Sequence, residues 1–137
     1  MSSEAPRGFR QIARTSPFNT LVGPLYEREE AGSLSVGLRI SEKHTNSRGI
    51  CHGGVLATLA DLAMGYAMLH RLGKGGFVTA HLAVDYADAA KVGDWIQSAV
   101  EIHRVGATLA FANCYLLAGE RRIVWASAIF ARGAKSE

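Results

Sequence analysis

With 137 residues, 48% hydrophobic and 20% charged, the chain has the material for one globular domain with a real core, which excludes a disordered or low-complexity protein. Its net charge of +3 comes without a dense basic block interleaved with aromatics, which argues against a nucleic-acid partner. Cys51 and Cys114 form neither a CxxC pair nor a Cys/His ligand spacing, and no apolar run reaches the roughly 18 residues of a membrane span. The expectation is a reduced, soluble, cytoplasmic protein with no structural zinc and no membrane partner.

In chain order, residues 7–15 (RGFRQIART) read as a short amphipathic helix with Phe9, Ile12 and Ala13 on one side. Residues 16–24 read as a turn-rich connection broken by Pro17, Gly23 and Pro24, so 1–24 form an N-terminal arm. Strand-like alternation sets in near Leu25 and is plain from Ser33 to Ile40, where Leu34, Val36, Leu38 and Ile40 alternate with Ser35, Gly37 and Arg39. A polar loop, SEKHTNSRG, then leads into CHGGVLATLADLAMG.

Residues 53–72 are almost continuously apolar, hold no Pro and are too long for a strand, so they predict a helix. It is apolar around most of its circumference, which predicts burial on most sides. Gly73 and Lys74 supply its stop signal. Strands are predicted at 77–89, 95–105, 107–118 and 121–132, the last three joined by links short enough to force antiparallel pairing. The architecture expected is α+β, a single domain (1–137) with a mainly antiparallel sheet of five or six strands around one long central helix.

Asp61 interrupts that apolar helix. A desolvated carboxylate costs several kcal/mol unless something compensates it. Its helical neighbours include Ala57 and Gly65, four positions away on either side, and Thr58, three before it. Small residues on that face leave room for a ligand beside a general base. An aspartate capped by a hydroxyl from the sheet is the structural alternative. At the helix entrance, Gly53 and Gly54 expose N–H groups lacking intrahelical partners, the makings of an anion site or oxyanion hole, or simply of a tight turn. His52 before them reads equally as a helix-entrance hydrogen-bonding residue. His52 and Asp61 are nine helical steps apart, about 13 Å, so they are no dyad within one chain. If both serve chemistry, a second copy of the protein completes the site.

Asn46, His52-Gly53-Gly54 and Asp61, at this spacing, resemble the signature of hotdog-fold acyl-CoA thioesterases. The branch is that of the phenylacetate-pathway and thioesterase superfamily member 2-like enzymes, within the 4-hydroxybenzoyl-CoA thioesterase superfamily. The similarity runs through the loop, the helix, TAHLAVDYADAAKVGD and the three terminal strands. It implies a hotdog fold and hydrolysis of acyl-CoA to free acid and CoA. Gly53 N–H and Asn46 would polarise the thioester carbonyl, and Asp61 of the neighbouring chain would act as general base or nucleophile. Thr79 stands where the family has Ser or Thr to orient water, and His52 would assist positioning or the leaving thiolate. Gly54, Thr58 and Gly65 are the expected substrate-binding positions, with apolar anchors such as Phe18 closing the acyl pocket. The reaction needs no metal or other cofactor. The resemblance further implies a homodimer with shared active sites and a homotetramer built from it. Lys74, Lys91, Arg104 and Arg121 are the cations available to CoA phosphates, though each also fits a solvated surface role. A non-catalytic acyl-CoA binding or sensing module on the same fold is the alternative reading.

Overall fold

The computed structural model describes residues 5–133. Its elements are β1 (Arg10–Gln11), α1 (Pro17–Val22), β2 (Tyr26–Glu30), β3 (Ser33–Arg39), a single 3-10 turn (Glu42–His44), α2 (Gly53–Leu72), β4 (Phe77–Tyr86), β5 (Trp95–Val105), β6 (Leu109–Ala118) and β7 (Arg121–Arg132). All seven strands join one antiparallel sheet in the order β1-β2-β3-β5-β6-β7-β4. This is the hotdog arrangement, with more strands than the five or six expected. The added strand is β1, two residues that pair with β2 through Arg10 and Gln11.

The N-terminal arm is the other departure. Residues 7–15 form no helix; the helix lies at Pro17–Val22, inside the segment read as a connection. Ser16 caps it, its Oγ accepting from Asn19 N–H at 3.2 Å, and Pro17 sits in the first turn, where a missing N–H costs nothing. The proline that reads as a breaker is a start signal. On the outer sheet face, Phe9 meets Trp95 edge-on at 5.1 Å. Gly37 is required beneath that indole, because a Cβ there would overlap the ring.

The sheet curls around one side of α2 only. Leu56, Leu59, Ala60, Ala63, Met64, Ala67 and Met68 are buried, a stripe at helical spacing packed on Val36, Leu38, Ile96, Cys114 and Phe130. The expectation of burial on most sides therefore fails for a single chain: Asp61, Gly65, Tyr66 and Leu69 are only half-buried. Gly73, left-handed at φ 77°, ends the helix as a C-cap. The other outermost strand, β4, pairs with β7 on one side and leaves its second edge open. Among the described residues, no helix is long and apolar enough to cross a membrane.

Candidate active site

The loop before α2 is built by side chains that the sequence marked and by one that it hid. Asn46 Oδ1 accepts from the N–H of Arg48 at 2.9 Å and of Ile50 at 3.3 Å, which folds the loop back and leaves the Nδ2 amide to donate elsewhere. His44, inside the polar SEKHTNSRG run, is buried. Its Nδ1 accepts from Ser41 N–H at 2.9 Å, so the proton sits on Nε2, which donates to the Val22 carbonyl at 2.6 Å. Burial holds this imidazole below its usual range, with Lys43 adding to the effect and the Val22 bond opposing it. The His44 carbonyl in turn accepts His52 N–H at 2.7 Å and so sets the helix start.

His52 is the N-cap of α2, its Nδ1 accepting Gly54 N–H at 2.7 Å. A Cβ at Gly54 would stand 2.9 Å from that ring nitrogen, so the glycine is needed for the cap itself. The Gly54 donor is thereby spent. Gly53 N–H has no partner among the described residues and lies at the positive end of the helix dipole. Tyr86, which the sequence did not single out, donates its hydroxyl to the Gly53 carbonyl at 2.7 Å. Its ring would lie 3.3 Å from a Cβ at position 53, so Gly53 is fixed by a neighbour as well as open to a ligand.

Two turns along α2, Thr79 Oγ1 donates to Asp61 Oδ1 at 2.7 Å. A bulge makes this possible. Leu82, Val84 and Tyr86 pair with the buried Ala128, Ala126 and Val124 and face the helix, so strict alternation would turn Ala80 inward and Thr79 outward. The register shifts between Thr79 and His81, and the extra residue Ala80 reverses the alternation so that Thr79, opposite buried Phe130, faces α2. Asp61 and Thr79 then stand at one end of an apolar cleft of about 370 Å³, lined further by Leu62, Gly65, Tyr66, Leu69, Gly75, Phe77, Val78 and Phe130. A Cβ at Gly65 would meet nothing within 4 Å, which is open space beside the carboxylate.

The expected residues thus fall into two groups. Asn46, His52 and Gly53 lie at the helix entrance; Asp61, Thr79 and Gly65 lie two turns away, about 12 Å along the axis. Thr58 spends its hydroxyl on the Gly54 carbonyl at 2.8 Å, and Phe18 is 55% exposed on α1, away from the lining of the cleft. Of the cations, Arg121 pairs with Asp88 and Asp94, while Lys74 lines a neighbouring charged cleft. Both cysteines are buried and their thiols pushed up, Cys51 to about 11 by burial and Asp94, Cys114 to about 12 by burial, the opposite of what activates a thiolate. Among the described residues, no group of three His, Cys, Asp or Glu side chains is placed to hold a metal ion.

Residues 48–124 match the model of a family described as the thioesterase superfamily. A Pseudomonas aeruginosa protein named "Putative esterase PA0474" is 42% identical over 127 residues, 91% of this chain and 95% of that one. Mouse acyl-coenzyme A thioesterase 13 is 34% identical over 76 residues, 56% of this chain and 54% of its own length. The crystal structure of zebrafish thioesterase superfamily member 2 superposes with a TM-score of 0.77 at 29% identity, covering 86% of this chain and 88% of that one.

Proposed function

The chain belongs to the thioesterase superfamily, and on that premise we propose that it hydrolyses acyl-CoA thioesters at a site divided between two copies of itself. The observation that carries the reading is the Thr79–Asp61 hydrogen bond at the end of an apolar cleft. With Thr79 donating to Oδ1, Oδ2 is left to receive a proton, and the threonine oxygen's lone pairs can accept from the same water.

The water oxygen bonds to the acyl carbon as one of its protons passes to Asp61. The carbonyl oxygen becomes an oxyanion, met by Gly53 N–H and Asn46 Nδ2–H of the second copy. Collapse breaks the C–S bond, and CoA leaves as a thiolate that recovers the proton from Asp61. His52, by capping Gly54, and Tyr86, by holding the Gly53 carbonyl, aim the helix entrance, and Gly54, Thr58 and Gly65 border the substrate. The acyl-coenzyme A relative supports CoA esters as the substrate class.

A second copy is supported by the open edge of β4. That one strand touches both halves of the site, Thr79 at Asp61 and Tyr86 at Gly53. Antiparallel pairing of two β4 edges about an axis at Ala83, with Ala80 the extra residue in each strand, would set Thr79 of each copy across from Tyr86 of the other. A further interface, making a homotetramer, is supported on the outer sheet face, where Trp125 is 41% exposed and Asn113 Oδ1 is buried with no partner among the described residues.

The test is complementation. Asp61→Asn and Asn46→Ala, each inactive alone, are co-expressed or mixed until subunits exchange. Half of the dimers are then hybrids with one intact site, so thiol release returns to about a quarter of wild type. No recovery, with mixed dimers demonstrated, overturns the divided site. Tight acyl-CoA binding by wild type without thiol release selects the binding module instead.

A further inference from the structure

We propose that Tyr66 is the end wall of the acyl cleft and sets the length of acyl chain accepted, an inference that rests on the acyl-CoA reading above. Tyr66, Leu69 and Gly75 line both the apolar cleft that holds Asp61 and a second cleft of about 500 Å³. Of these three, Tyr66 also lines a third cavity, of about 250 Å³, beneath α1. It is a partition between spaces rather than the side of one.

The partition is held from two directions. Asn19 Nδ2 donates to the Tyr66 hydroxyl at 3.1 Å, and that hydroxyl donates to the Arg14 carbonyl at 3.2 Å. Both partners belong to the N-terminal arm, and Asn19 is itself set by the Ser16 cap of α1. Swinging the ring out of the way breaks both bonds.

Chemistry reverses across the wall. On the Asp61 side, an acyl chain lies along Leu62, Phe77 and Phe130, the last two ring-to-ring at 5.4 Å. Beyond it, the second cleft is lined by Arg14, Glu29, His70 and Lys74, with His70 Nε2 3.3 Å from the Glu29 carboxylate. A methylene driven past Tyr66 would desolvate charged groups instead of gaining apolar contact. From Asp61 to Tyr66 is about 7.5 Å of helix and to Leu69 about 12 Å, room for an aryl group or a short to medium acyl chain. Gly65 widens the cleft sideways but adds no length.

The experiment measures kcat/KM for butanoyl-, octanoyl-, palmitoyl- and phenylacetyl-CoA with wild type, Tyr66→Ala and Tyr66→Trp. Each methylene taken into the apolar cleft raises kcat/KM about fourfold, so the wild-type profile climbs with chain length and then breaks. Tyr66→Ala moves the break outward by the space the ring vacates, raising the first ester beyond the wild-type break about fourfold per methylene newly admitted, and Tyr66→Trp moves it inward. Profiles for both variants that run parallel to wild type overturn the wall. If wild type releases thiol from none of the esters, the hydrolysis reading falls by itself. The wall is then decided by calorimetry of butanoate, octanoate and palmitate binding to wild type and Tyr66→Ala, where an unmoved length limit overturns it.

Discussion

Along α2, the stripe from Leu56 to Met68 is sealed by the sheet, while Asp61, Gly65, Tyr66 and Leu69, centred about half a turn away, line open clefts. Both faces draw on the same small and apolar residue types. The difference lies in what covers them, because β3, β5, β6 and β7 curl onto one side while β4 runs along the other, with Thr79 at Asp61 and Tyr86 at Gly53. An apolar helix face that its own sheet does not cover is free for something else, which on the proposed reading is a substrate and a second chain.

Paired substitutions on the two faces should separate chemistry from stability. Asp61→Asn keeps the shape and a Thr79 contact, so unfolding free energy stays within about 0.5 kcal/mol while thiol release falls by about 10³-fold. Leu59→Ala, on a residue 0% exposed, costs about 2–5 kcal/mol in urea denaturation and leaves the folded fraction active. If Asp61→Asn destabilises as Leu59→Ala does, the open face is structural and the comparison collapses. Should Asp61 act as nucleophile rather than base, single-turnover hydrolysis in heavy-oxygen water would label the enzyme's carboxylate before the acid.

The bulge sharpens the contrast. Thr79→Ala removes the hydroxyl on Asp61 and should lower kcat about 10- to 100-fold, with Thr79→Ser near wild type. Deleting Ala80 leaves Thr79 and His81 consecutive opposite Phe130 and Ile129, so strict alternation then keeps Thr79 toward the helix, and kcat should fall by less than about tenfold. A loss as large as that of Thr79→Ala would show that the bulge does more than aim this hydroxyl.

What the sequence made legible follows from the same physics. The bounds of α2 could be read because an apolar period ends in Gly73, and β5, β6 and β7 because alternating runs are separated at Gly106 and Gly119. The arm departs from expectation because Pro17, which reads as a breaker in isolation, follows the capping Ser16 and so starts a helix. His44 hid in a polar run, since nothing local foretells that Val22, 22 residues earlier, would take its Nε2 proton. At the site, the spacing of Asn46, His52, Gly53 and Asp61 could be read, and the Thr79 match came from family resemblance alone. Tyr66 and Tyr86 could not be found, because their partners Asn19 and Gly53 lie 47 and 33 residues away.

A smaller effect is expected at the helix entrance. Tyr86→Phe removes one neutral hydrogen bond to the Gly53 carbonyl, about 0.5–1.5 kcal/mol, and should lower kcat about three- to tenfold with KM nearly constant. A change confined to KM would mean that Tyr86 binds substrate rather than aiming the Gly53 peptide.

The smallest effect is a pH dependence that distinguishes the two faces without altering either. His44 joins the open side: its ring holds Val22 of α1, and α1 carries the Asn19 that holds Tyr66. Burial keeps the folded imidazole below its ordinary value of 6.5, so the unfolded chain takes up a proton first. Its contribution is therefore complete above pH 6.5 and is lost as pH falls below that value toward the folded one. A second proton would have to enter at Nδ1, against the Ser41 N–H that now donates there. Hydrogen exchange corrected for intrinsic rates, about one unit above and below pH 6.5, should show protection falling at α1 and Tyr66 while the Leu59–Met68 stripe holds. His44→Gln should flatten that acid-side loss. Equal loss on both faces would make His44 a global strut and detach it from the open side of α2.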